Sequence, residues 1–156
     1  MTDIVFHEGQ NWFNFRVAAV ILSQDHLLVQ HVEGFNFCFL PGGRVQLMES
    51  MEQALQRELR EEFEVTLPRT RLLWTVENFF PTPLGRYHEI CGYFLCEGFQ
   101  IDQPFPLDVS WTQGKSTYYW TPLDSLPALP LVPSFLQEAV KALPAYAIHL
   151  SLNELA

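Results

Sequence analysis

A chain of 156 residues suits one domain with a real core, and its 48% hydrophobic and 17% charged composition excludes a disordered polymer. The net charge of −9 argues against nucleic-acid polymers and anionic membranes as partners. No stretch approaches the roughly 18 apolar residues of a membrane span, Met1 to Gln10 lacks the basic and apolar regions of a secretory leader, and Cys38, Cys91 and Cys96 have no zinc-like spacing, so buried thiols in a reducing cytoplasm are the expectation.

Arg16 to Leu22 is a β-branched apolar run and predicts a buried strand. Ser23 to His26 reads as a turn, with Leu27 to His31 as the hairpin partner. Phe35 to Leu40 is aromatic and strand-like, and ends at the turn Pro41-Gly42-Gly43. A helix is predicted from about Ser50, where Ser50 and Gln53 match a capping box. Met51, Leu55, Leu59 and Phe63 form its core-facing stripe, and Gln53, Gln56 and Arg60 its solvated side. Leu72 to Glu77 and Tyr87 to Cys96 predict strands around a Pro/Gly loop from Asn78 to Arg86. A second loop is expected from Gln100 to Lys115, and a last strand over Ser116 to Trp120. Pro133 suits the first position of a C-terminal helix running to about Leu143. The pattern is that of an α/β protein with a mixed sheet between helices.

The long helix carries a third sector. At about 100° per residue, Glu58, Glu61 and Glu62 fall within roughly a 100° arc. Like charges at these spacings repel, so something must compensate them. Hard divalent cations such as Mg²⁺ take carboxylate oxygens and keep positions for phosphate oxygens.

From Gly43 the chain reads five residues, Glu49, seven residues, then Arg57-Glu58-Leu59-Arg60-Glu61-Glu62-Phe63-Glu64-Val65. This resembles the Nudix box, G-x5-E-x7-R-E-U-x-E-E-x-G-U with U aliphatic, apart from Glu64 in place of the last glycine. The Trp120-Thr121-Pro122 segment and the Pro-led C-terminal helix also resemble the ends of Nudix domains. The resemblance implies a single domain over residues 1–156, built as an αβα sandwich with a mixed β-sheet. It implies a Mg²⁺- or Mn²⁺-dependent pyrophosphohydrolase cleaving a nucleoside diphosphate linked to another group, with a homodimer allowed. Glu58, Glu61 and Glu62 are then the metal ligands, with a backbone carbonyl of Gly42 or Gly43 completing the coordination. Arg57 pairs with and orients a box carboxylate. Glu49 holds the loop or ligates a further metal. Since the missing glycine supplies no ligand, Glu64 bears on the helix end rather than on catalysis: either it costs about 1 kcal/mol as a left-handed cap, or the helix ends differently.

The general base is open between the box glutamates and Glu77, Glu89 and Glu97. Glu89 is preferred, because it borders the expected cleft within an apolar strand where a carboxylate needs a partner. Glu77 is a candidate contact to a base or sugar. Phe79, Phe80 and Tyr87 could stack on a nucleobase, Arg44 and Arg86 could bind phosphate, and His31, Phe35 and Phe37 could line the other wall. A nucleoside triphosphate, intact or damaged, is the preferred substrate. A nucleotide sugar, ADP-ribose or dinucleoside polyphosphate is the alternative. From other classes come a nucleotide sensor without turnover and a protein-interaction domain with an acidic helix.

Overall fold

The computed structural model describes residues 2–66, 69–98, 100–101, 104–112 and 114–155. Strand β2 (Asn11–Val20) organises the fold, because its two faces feed two different cores. Side chains alternate across a strand. Val17, Ala19 and Ile21 therefore join a cluster with Leu28, Phe94 and Tyr118, whereas Ala18 and Val20 join one with Val29, Trp74 and Tyr93.

Around β2 runs a mixed sheet, ordered β1 (Val5–Glu8), β2, β8 (Gly85–Glu97), β7 (Arg69–Thr82), β11 (Ile148–Asn153), with β6 (Gly42–Arg44) also paired to β2. The β2–β8 and β7–β11 pairs are parallel and the others antiparallel. A second, antiparallel sheet runs β3 (Leu22–Ser23), β4 (His26–Val32), β10 (Gly114–Pro122), β9 (Leu107–Trp111), with β5 (Cys38–Phe39) on β4.

Helix α1 (Met51–Phe63) covers one face through Ala54, Leu55, Leu59 and Phe63. The opposite face is covered by a 3₁₀ turn (Leu123–Ala128) and by α2 (Leu136–Ala139), through Leu126, Leu136 and Val140. Helical segments on both faces of a mixed sheet make the expected α/β sandwich. At the start of α1, the Ser50 side chain accepts from the Gln53 amide and Gln53 reaches back to the Ser50 amide, so the capping box is present. At its end Glu64 sits in the left-handed region, at φ 58 and ψ 30. Cys38, Cys91 and Cys96 are free and buried. Among the described residues no helix is long and apolar enough to cross a membrane.

Several expectations need correction. The loop expected over Asn78 to Arg86 is mostly strand: β7 and β8 pair continuously to Thr82↔Gly85, leaving Pro83 and Leu84 as the turn. Pro81 is tolerated there. The Arg86 amide faces β2, so Pro81 presents its nitrogen to the β11 side, and β11 stops pairing at Phe79. The loop expected over Gln100 to Lys115 contains β9 and the start of β10, while Asp102, Gln103 and Gln113 lie outside the described residues. The strand expected over Phe35 to Leu40 shrinks to Cys38–Phe39. The C-terminal helix does not run from Pro133 to Leu143: its bonds from Leu136 to Pro133 and from Gln137 to Ser134 are i to i−3, and α2 keeps only four residues. Strand β11 was not anticipated.

Candidate active site

The Gly42-Gly43 turn allows α1 to approach β2. A methyl group at Gly42 would collide with the Val17 carbonyl, and one at Gly43 with the Glu58 carboxylate. A side chain at Gly43 would thus displace the carboxylate that packs over it.

Arg57 ties this corner together. Its Nε and Nη2 donate to Glu49 at 2.8 and 2.9 Å, its Nη1 donates to Glu58 at 2.6 Å, and Nη2 also reaches the Arg44 carbonyl at 2.9 Å. Glu49 in turn accepts from the Gln46 amide at 2.9 Å, which fixes the loop entering α1. The Arg57 hydrogen bonds hold Glu49 below the usual carboxylate range. The contact with Glu49, supplemented by Glu58, raises the Arg57 pKa against the effect of its burial.

The box carboxylates occupy unlike environments. Glu61 is 60% exposed at its side chain and lies 3.6 Å from Arg57. Burial raises the pKa of Glu58, with Arg57 opposing. Burial also pushes Glu62 up to about 8, with the Glu58 charge adding to it and a Tyr118 hydrogen bond and Arg16 working the other way. Its Oε2 is buried and has no hydrogen-bond partner. Among the described residues, no three His, Cys, Asp or Glu side chains converge closely enough to cage an ion as they stand. The donors are nevertheless all hard oxygens, and a buried, unpartnered carboxylate oxygen of Glu62 beside the half-buried Glu58 carboxylate fits a hard divalent cation.

Two site residues escaped the sequence reading, Asn14 and Arg16. They share the face of β2 that continues through Ala18 and Val20 into the core. Polar residues at alternate positions leading into an apolar run were the available signal. The guanidinium of Arg16 lies 5.6 Å over the Phe39 ring. Burial opposes its charge, but Glu89, Cys91, Tyr93 and Glu58 more than offset this and raise its pKa.

Glu89 sits between Asn14 and Asn78 in the cross-strand register, on the same face as Arg16. Its Oε2 accepts from Asn14 Nδ2 at 2.9 Å. Asn78 is buried, and its Oδ1 has no hydrogen-bond partner. Arg44 is engaged on one side: its Nε donates to Asn14 Oδ1 at 2.9 Å, and its Nη1 is 3.9 Å from Asp3, with the side chain 41% exposed.

The remaining candidates separate from this face. Glu77 is opposite Ile90, on the other side of the sheet from Glu89. It contacts His88 Nε2 at 3.0 Å and lies 4.0 Å from His149. Phe79 stacks on His88 there at 4.4 Å. Phe80 stacks on Tyr87 at 5.5 Å on the Glu89 side, and Tyr87 on Trp12 at 5.8 Å. Arg86 is at the outer end of the β7–β8 hairpin, and Glu97 is at the far end of β8 against Arg69. His31 contacts the Phe35 carbonyl at 2.7 Å, and Phe35, Phe37 and Phe39 form a run of rings ending under Arg16.

A NUDIX domain model matches residues 12–143. No curated protein sequence matches the chain. Among solved structures, the MutT protein of Bacillus halodurans is 14% identical, with 87% of this chain and 89% of that one covered at a TM-score of 0.66. A MutT NUDIX hydrolase from Burkholderia pseudomallei is 25% identical, covering 81% of this chain and 98% of that one at 0.65. A UDP-X diphosphatase is 17% identical, covering 82% and 58% at 0.52, and shows the fold alone.

Proposed function

Because this chain belongs to the Nudix family, whose members hydrolyse diphosphate bonds of small molecules, we propose that it hydrolyses a nucleoside triphosphate with the help of Mg²⁺ or Mn²⁺. The observation that carries the reading is the Glu62 oxygen, buried beside Glu58 without a partner. A fold has little reason to bury ionisable oxygens this way unless a cation joins them.

Glu58, Glu61 and Glu62 would hold that cation, with Gly42 or Gly43 offering a carbonyl. When bound, it would cancel phosphate charge and lower the pKa of the attacking water. The chain's own groups do the rest. Arg57 holds Glu58 and Glu49 in fixed orientation. Arg16 keeps a positive charge between Glu89 and Glu58, and so favours an anionic substrate. Glu89 takes the proton of the attacking water as general base. Trp12, Tyr87, Phe80 and the Phe35–Phe39 run give flat apolar walls suited to a nucleobase.

The hydrolase reading is supported by the likeness to a MutT NUDIX hydrolase at 25% identity. The test is turnover of a nucleotide panel with Mg²⁺ and Mn²⁺ in ¹⁸O-water, read by mass spectrometry, with Glu62→Gln as control. Turnover of nucleoside triphosphates that is lost in the control is the expected result, and the labelled product identifies the phosphorus attacked. Turnover of nucleotide sugars or dinucleoside polyphosphates instead would replace the substrate, and nucleotide binding without turnover of any class would indicate a sensor.

A further inference from the structure

We infer that Asn14 is a positioning residue for hydrolysis: its side-chain amide fixes the Glu89 carboxylate and couples it, through Arg44, to the Arg57 corner. The inference rests on Glu89 being the general base.

The geometry is specific. Asn14 Nδ2 donates to Glu89 Oε2 at 2.9 Å, and Asn14 Oδ1 accepts from Arg44 Nε at 2.9 Å. The orientation of the amide is not arbitrary. A guanidinium only donates and an ionised carboxylate only accepts, so Oδ1 must face Arg44 and Nδ2 must face Glu89. The main-chain carbonyl of Arg44 accepts from Arg57 Nη2 at 2.9 Å, and Arg57 holds Glu49 and Glu58. Hydrogen bonds on the main chain and on the side chain of Arg44 therefore link the helix carboxylates to the strand carboxylate through that one residue.

A side chain of a single charge cannot serve both arms. Aspartate at this position would accept from Arg44 but repel Glu89. Lysine would hold Glu89 but repel Arg44 and the Arg16 two residues along. Asn14 is 4% exposed and Glu89 8%, so water cannot readily replace the arm between them. The contact also crosses from β2 to β8 at directly opposed positions, which leaves the carboxylate little freedom to swing.

A double-substitution cycle tests this, using hydrolysis of the four dNTPs with Mg²⁺ in the full chain. Asn14→Asp is expected to lower kcat by about 10- to 100-fold with KM changed less than about threefold, and Glu89→Gln to lower kcat by about 100-fold or more. Asn14→Asp added to Glu89→Gln should cost little further, because Asn14 acts through Glu89. A residue that only supports the fold would instead multiply its loss onto that of Glu89→Gln, and that result overturns the inference. So does an Asn14→Asp enzyme within twofold of wild-type kcat. Near-normal kcat in Glu89→Gln removes the base assignment itself and the inference with it.

Side-chain amide NMR gives a readout that needs neither turnover nor a folded Asn14 variant. The wild-type Asn14 NH₂ signals should exchange slowly with solvent and shift in Glu89→Gln. Exchange at the rate of an exposed amide, or no response to Glu89→Gln, would also overturn the inference.

Discussion

Arg57 grips Glu49 at two points, Nε to Oε1 at 2.8 Å and Nη2 to Oε2 at 2.9 Å, while its Nη1 reaches Glu58 at 2.6 Å. Only a planar guanidinium can make this fork and still donate to a second carboxylate. Lysine at this position keeps the charge but loses the geometry. Arg57→Lys should therefore lower kcat at least about tenfold and reduce stability by about 1–2 kcal/mol, measured by steady-state kinetics and denaturant unfolding. Equal activity in Arg57→Lys would mean that the charge alone matters.

Glu62 predicts an inverted pH dependence of stability when divalent cations are removed. Its carboxyl is held near 8 in the folded chain, against about 4.3 in an unfolded one. Between those values the unfolded state gives up its proton first, so native stability falls as pH rises from about 4.3 and the loss is complete above about 8. Thermal unfolding in EDTA should show a midpoint declining from pH 5 to pH 9. Glu62→Gln should flatten that decline, and Mg²⁺ should restore wild-type stability at pH 9. A wild-type slope unchanged by Glu62→Gln would contradict the assignment.

Activity should run the opposite way. Turnover needs ionised carboxylates and a base-activated water, so kcat should rise from pH 6 towards pH 9. A maximum on the acidic side would point to different chemistry.

Glu64 holds a left-handed conformation at φ 58 that a side chain disfavours. Glu64→Gly should stabilise the protein by about 1 kcal/mol, raising the thermal midpoint by roughly 2–4 °C. The side chain is exposed and lies past the last helical residue, so kcat should stay unchanged. A lower midpoint would show that the Glu64 side chain makes a compensating contact.

What could be read from the sequence follows from how local each signal is. The α1 start was legible because Ser50 and Gln53 are three residues apart and make their own bonds. The three-sector helix was legible from its period, and the left-handed end from the expected position of a glycine. The pairing of Arg57 with box carboxylates came from the family resemblance, and the geometry agrees with it. Asn14 was not legible, since its partners Glu89 and Arg44 are 75 and 30 residues away. The same reason hid β11, which gains its partner only when β7 lies alongside. The β7–β8 hairpin was misread because Pro81, Pro83 and Gly85 look like one loop. The register instead confines the break to Pro83 and Leu84 and leaves Pro81 where no ladder bond is needed.

The most direct test of a cation-dependent carboxylate centre is Mn²⁺ binding followed by electron paramagnetic resonance in wild type, Glu62→Gln and Glu64→Gly. The account predicts saturable binding at a defined stoichiometry in wild type and Glu64→Gly, and a loss of at least about tenfold in affinity in Glu62→Gln. Equal Mn²⁺ binding in Glu62→Gln, or no defined site in the wild type, would contradict it.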